Sequence, residues 1–192
     1  MVKTENFIQV EITSAYQLRE WLQQNHTQKE SVWLLLYKKS FGKYYFPKQD
    51  IIDELLCFGW IDGMARKVDD YTYLLLVSPR KIEHWAESYK RRIKILEAEE
   101  RMTDAGIKAV EQSKQNGSWN FMDDVDALIK PQDFIKCLEE NPPSIVNFDA
   151  FGASSKRFML RYIKIAKTAK TRENRIKEIA LLAKENKKLP GS

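Results

Sequence analysis

Near its start the chain alternates between strand-like and helix-like spacing of apolar positions. In FIQVEI (7–12), Ile8, Val10 and Ile12 fall on one side, the period of a strand with one buried face. SAYQLREWLQQN (14–25) shifts to helical spacing through Tyr16, Leu18, Trp21 and Leu22, with Ser14 placed to cap it. SVWLLLYKK (31–39) is apolar on both sides, which predicts an interior strand. After the loop SFGKYYFPKQ, Asp50 is placed to cap a helix whose apolar face holds Ile51, Ile52, Leu55, Leu56 and Phe58 and which Gly59 ends. IDGMARKV and YTYLLLV follow as a hairpin turning at Asp69-Asp70, and Pro79 closes the second strand.

Beyond Pro79 the spacing is helical, over 82–101, 103–115, 131–140, 142–150, 154–168 and 171–186. Pro131 and one of Pro142-Pro143 suit the first turn of their helices. The fold class this predicts is α+β, a small, mainly antiparallel sheet of about four strands followed by a helical half. The expected division is 1–81 for the sheet-containing half and 82–192 for the helices, which can also form one compact unit.

Composition narrows the choice of chemistry. Two cysteines, Cys57 and Cys137, lie far apart without CxxC spacing, as in a reduced, cytoplasmic protein. No apolar run is long enough to span a bilayer, and the N-terminus has no leader pattern. Phosphate-cradling glycine loops are absent, and His26 and His84 are the only histidines, so neither a metal nor a cofactor is expected. Residues 155–188 hold twelve Lys or Arg against Glu173, Glu178 and Glu185, so the rest of the chain is net acidic.

The chemically richest stretch is ELLCFGWIDG (54–63). As a joint, Asp62-Gly63 is a turn in which Asp62 bonds backbone N–H groups. As a site, Glu54 and Asp62 are two carboxylates of a pocket walled by Trp60, suited to a cationic or amide-bearing ligand. Arg80 and Lys81, where a strand passes to a helix, face an anion at the helix start, or else Arg80 pairs with Asp62 or Glu54 and locks the halves together. A carboxylate here serves as a general base only if burial shifts its pKa. Cys57 pairs with His84 as a nucleophile only if the fold joins them; otherwise it is a small buried hydrophobe. In the tail, Arg157, Arg161 and Lys164 form a stripe, joined further on by Arg172 and Arg175. This is a solvated face or a nucleic-acid surface. The aromatics there are expected to face the core, with no stacking platform, so nucleic acid is not favoured as a partner.

The segments ELLCFGWIDG, PRK (79–81), Trp85, RMTDAG (101–106), NGSW (116–119), PQDFIKCLEENP (131–142) and IKIAKTAKTRENRI (163–176) together resemble the YdeI/OmpD-associated family, also called bacteriocin-protection proteins. The resemblance implies a small soluble bacterial protein without a required cofactor, linked to protection against bacteriocins and cationic antimicrobial peptides. The expected function is therefore non-enzymatic binding or stress protection, with a small ligand or protein as partner. The expected site is Glu54, Trp60, Asp62 and Arg80.

Overall fold

Strand β1 (Gln9–Glu11) is joined through helix α1 (Ala15–Asn25) to strand β2 (Val32–Tyr37), and the two strands lie parallel with Val10 opposite Leu34. The helical crossover makes this geometry possible, because parallel strands cannot be joined by a tight turn. Ser14 caps α1 as its position predicts, its Oγ accepting from the Gln17 N–H. The computed structural model describes residues 7–80 and 84–191.

Helix α2 (Lys48–Cys57) leads into strands β3 (Trp60–Lys67) and β4 (Thr72–Pro79). The sheet order is β1-β2-β4-β3, with β2–β4 and β4–β3 antiparallel. Interior β2 matches its two apolar sides, and the one parallel pairing makes the sheet mixed. Val32, Leu34, Leu36, Leu75 and Val77 pack into a core with Leu18 and Leu22 of α1 and Ile51 and Leu55 of α2. Asp50 does not cap α2. The helix starts two residues earlier at Lys48, after Pro47, whose ring already holds φ at −60°, and Asp50 sits in the first turn. Gly59 ends this helix at φ +71°, a conformation glycine adopts without strain. In the β3–β4 turn, one Asp69 carboxylate oxygen accepts the N–H groups of Tyr71 and Thr72, which makes Asp-Asp a workable turn.

Helices α3 (Glu87–Ala98) and α4 (Asp104–Gln115) pack on α2. The chain divides into two units at Asn120/Phe121, so these helices belong with the sheet. The second unit is helical: α5 (Asp123–Asp126), α6 (Gln132–Glu139), α7 (Ser144–Ala150), α8 (Ala153–Lys164) and α9 (Ala169–Lys184). Its core joins Phe134 and Leu138 of α6, Phe148 of α7, Met159 and Ile163 of α8, and Ile176, Ile179 and Ala180 of α9. Phe134 and Phe148 meet edge to face at 5.0 Å. Pro131 and Pro143 stand immediately before α6 and α7. Among the described residues, no helix is long and apolar enough to cross a membrane.

Thr168 begins α9, its Oγ1 accepting from the Thr171 N–H at 3.1 Å. Thr168→Ala should lower stability by about 1 kcal/mol, the usual loss for a removed N-cap. Urea unfolding should show the change in midpoint, with Thr168→Ser restoring most of it.

Candidate functional site

Helix α2 carries two consecutive carboxylates, Asp53 (1% exposed) and Glu54 (5%), out of water. Burying two adjacent anions is unfavourable unless cations meet them, and three arginines do. Arg92 of α3 grips Asp53 with two donors, Nε at 2.6 Å and Nη2. Gln49 donates to the same carboxylate at 2.8 Å. Arg19 of α1 and Arg101 of the α3–α4 loop each donate to a different oxygen of Glu54 at 2.8 Å. Arg19 also reaches the Arg101 carbonyl at 3.0 Å, which closes the cluster.

Electrostatics follow from this geometry. Burial disfavours the charge on Asp53, yet hydrogen bonds from Arg92 and Gln49, with the arginine charges, outweigh it and hold the carboxyl below its usual range. Hydrogen bonding to Asp53 raises the Arg92 pKa in return. Cys57, on the same helix, is fully buried, and burial with the nearby Glu54 charge pushes its thiol up to about 11. It is thus kept as a thiol, the opposite of what a nucleophile needs. With both oxygens engaged by arginines, Glu54 ties α1, α2 and the α3–α4 loop together.

The other members of the predicted set lie around β3. Trp60 is 1% exposed. Its Nε1–H donates to the His26 carbonyl at 3.2 Å, and its ring meets the Trp21 ring edge-on at 5.6 Å. Asp62 lies within β3, where it accepts from the Tyr89 hydroxyl at 2.8 Å and pairs with Lys48 at 3.2 Å, rather than binding turn amides. The Arg80 N–H donates to the Gly59 carbonyl at 2.8 Å. Its guanidinium stacks on Trp85 at 3.7 Å and lies 5.5 Å from Tyr89. Tyr89 is therefore the common neighbour of Asp62 and Arg80, while Glu54 is held by Arg19 and Arg101. Lys81 falls outside the described residues. Sequence reading missed Asp53, Arg19, Arg92, Arg101 and Tyr89. The one available signal was Asp53 beside Glu54 within an apolar helix, which called for cations from elsewhere.

The second unit holds a groove between α6 and α9, about 370 Å³ in volume. Cys137, Ala169 and Ile176 give it apolar lining, and paired charges surround them. Arg172 holds Asp133 with two hydrogen bonds, at 2.7 and 2.9 Å, and Lys177 pairs with Glu173. Burial and the Glu140 charge push the Cys137 thiol pKa up, with Lys177 opposing. A smaller cavity of about 120 Å³ lies between Asp124, Ile129, Leu160 and Lys164. Among the described residues, no three His, Cys, Asp or Glu side chains converge as metal ligands do.

Residues 10–109 match a domain of unknown function, DUF8412. Residues 127–186 match the family described as bacteriocin-protection, YdeI or OmpD-associated. The chain belongs to the DUF8412 family and carries a YdeI/OmpD-associated segment. No curated protein and no solved structure matches it. The PQDFIKCLEENP and IKIAKTAKTRENRI segments fall within the YdeI/OmpD-associated match, whereas ELLCFGWIDG, PRK, Trp85 and RMTDAG fall within DUF8412.

The YdeI/OmpD-associated segment also contains the predicted basic patch. Arg157 and Arg161 are exposed on α8. Lys164 pairs with Asp124, Arg172 with Asp133, and Arg175 donates to the Tyr162 carbonyl at 2.6 Å while lying 4.1 Å from its ring. Three of the five cations are thus engaged within the unit. The expectation that the aromatics of this stretch face the core fails for Phe158, which is 41% exposed, whereas Tyr162 packs partly buried against the core. The buried side of α8 runs through Ser155, Met159, Leu160 and Ile163.

Proposed function

We propose that the chain is a non-enzymatic binding protein of the bacteriocin-protection kind, which raises a cell's tolerance of bacteriocins or cationic antimicrobial peptides. One observation carries this reading: the α6–α9 groove is formed wholly by residues within the YdeI/OmpD-associated match. Its apolar lining with alternating charge at the rim suits a ligand with apolar and ionic groups side by side, as an antimicrobial peptide has. Free Cys57 and Cys137 fit action in the cytoplasm.

Bacteria expressing the chain should tolerate a higher concentration of a cationic antimicrobial peptide than cells carrying an empty vector. Ala169 is exposed at the start of α9, so Ala169→Trp fills the groove without entering the core. That variant should fold with an unchanged Tm and lose the protection. Equal protection by Ala169→Trp, or none from the unaltered chain, would refute the reading.

A further inference from the structure

Four aromatic rings gather at one end of the sheet. Tyr37 ends β2, Phe41 and Tyr44 follow in the 39–41 turn and just beyond it, and Tyr71 comes from the β3–β4 turn. Phe41 stacks on Tyr37 at 4.9 Å and on Tyr44 at 5.9 Å, with planes only 28° and 30° apart. Tyr71 meets the Phe41 edge at 5.9 Å. A hydrogen bond from the Lys38 N–H to the Tyr71 carbonyl fixes the two chain segments side by side. Gly42, at φ +74°, reverses the chain so that Tyr44 returns to the cluster.

These rings pack on one another and not into the core of the unit. Phe41 is 41% exposed and Tyr71 57%. Aromatic rings with that much water-facing area, held rigid by mutual stacking, are an arrangement that binding uses.

Cations accompany them. Lys38, Lys39 and Lys43 are interleaved with the rings in sequence, and the Lys43 ammonium lies 5.1 Å from the Tyr44 ring centre. Asp69 accepts the amides of its turn, Asp70 pairs with Lys67, and Glu11 accepts from the Tyr37 hydroxyl, while the Lys38 ammonium donates to the Asp69 carbonyl.

We infer that the Tyr37–Phe41–Tyr44–Tyr71 cluster is a stacking platform for a short stretch of single-stranded nucleic acid, with Lys38, Lys39 and Lys43 taking its phosphates. Flat rings receive unpaired bases of any sequence, and interleaved lysines follow the backbone. A membrane surface fits less well, because the cluster is built of rings and lysines and has none of the aliphatic side chains that enter a bilayer. This surface belongs to the first unit and the α8–α9 cations to the second, and its use does not depend on the α6–α9 groove.

Fluorescence anisotropy of the full chain with a short labelled oligothymidylate tests the assignment. Binding at low salt should exceed that of the matching duplex. Affinity should fall with salt at a log–log slope of about −2, as expected for roughly three phosphates on a single strand. Phe41→Ala and Tyr71→Ala, both at exposed positions, should each weaken binding by about tenfold at unchanged Tm. Lys43→Ala should leave the rings in place and flatten the salt slope. No binding at low salt overturns the inference, as does equal affinity for duplex. So does binding lost in Arg157→Ala/Arg161→Ala but kept in Phe41→Ala. Sedimentation with phosphatidylserine vesicles, lost in Phe41→Ala and without oligonucleotide binding, overturns it in favour of a membrane surface.

Discussion

Gly106→Ala should destabilise the first unit by about 3 kcal/mol or more, far beyond the few tenths common for changes at exposed positions. Helix α4 crosses the end of α2 so closely that a Cβ on Gly106 would lie 2.3 Å from the Cys57 carbonyl oxygen and 2.9 Å from that of Leu56. Both obstacles are backbone, so no side-chain rotation relieves the overlap. The Cys57 carbonyl is also anchored from the other helix. It accepts the Thr103 hydroxyl at 2.6 Å and the Thr103 N–H at 3.1 Å. Moving α4 away to admit the methyl group stretches both bonds, each worth about 1 kcal/mol net, and opens the packing around Val110. The crossing is tight on the other side too, since a Cβ on Gly59 would come within 2.9 Å of the Ala109 Cβ. Gly152→Ala serves as the control, because nothing lies within 4 Å of its added Cβ. Urea unfolding with an unchanged m-value should separate the two substitutions.

This crossing shows why the fold was more legible in the sequence than the candidate site. Strands β2, β3 and β4 and the helices that follow them are written in local spacing, which depends on neighbours two to four residues away. The small stripe Ala105, Gly106 and Ala109 is also local, but its meaning lies in α2, nearly fifty residues earlier, and RMTDAG names no partner. The ion cluster is harder still. Arg19 and Arg101 meet at Glu54 across separations of 35 and 47 residues, and nothing in either arginine's surroundings marks it among 32 cations. The aromatic cluster was hidden for another reason. SFGKYYFPKQ has no period, and its rings become a platform only because Tyr71 arrives from the hairpin that β2 pairs with.

Asp53→Ala should lower stability by about 3 kcal/mol near neutral pH, at the low end for breaking a buried ion pair. The low end applies because Arg92, a quarter exposed, can turn its guanidinium toward water once the carboxylate is gone. The loss should also depend on pH in a defined direction. The folded-state pKa of Asp53 lies below its ordinary value, because the hydrogen bonds and charges of the arginines outweigh burial. A lowered pKa means that the unfolded chain takes up the proton first as pH falls. The stabilisation from this group is therefore fully present above about pH 4, the usual unfolded-state range, and fades below it. The wild-type advantage in Tm over Asp53→Ala should thus be constant from neutrality down to mild acid and narrow below that point. Asp53→Asn keeps the size and one acceptor but lacks the charge, so it should fall between the two at neutral pH and approach wild type in acid. If the gap between wild type and Asp53→Asn instead widened with acid, the carboxylate would be neutral in the folded state, and Arg92 would lack the charge it pairs with.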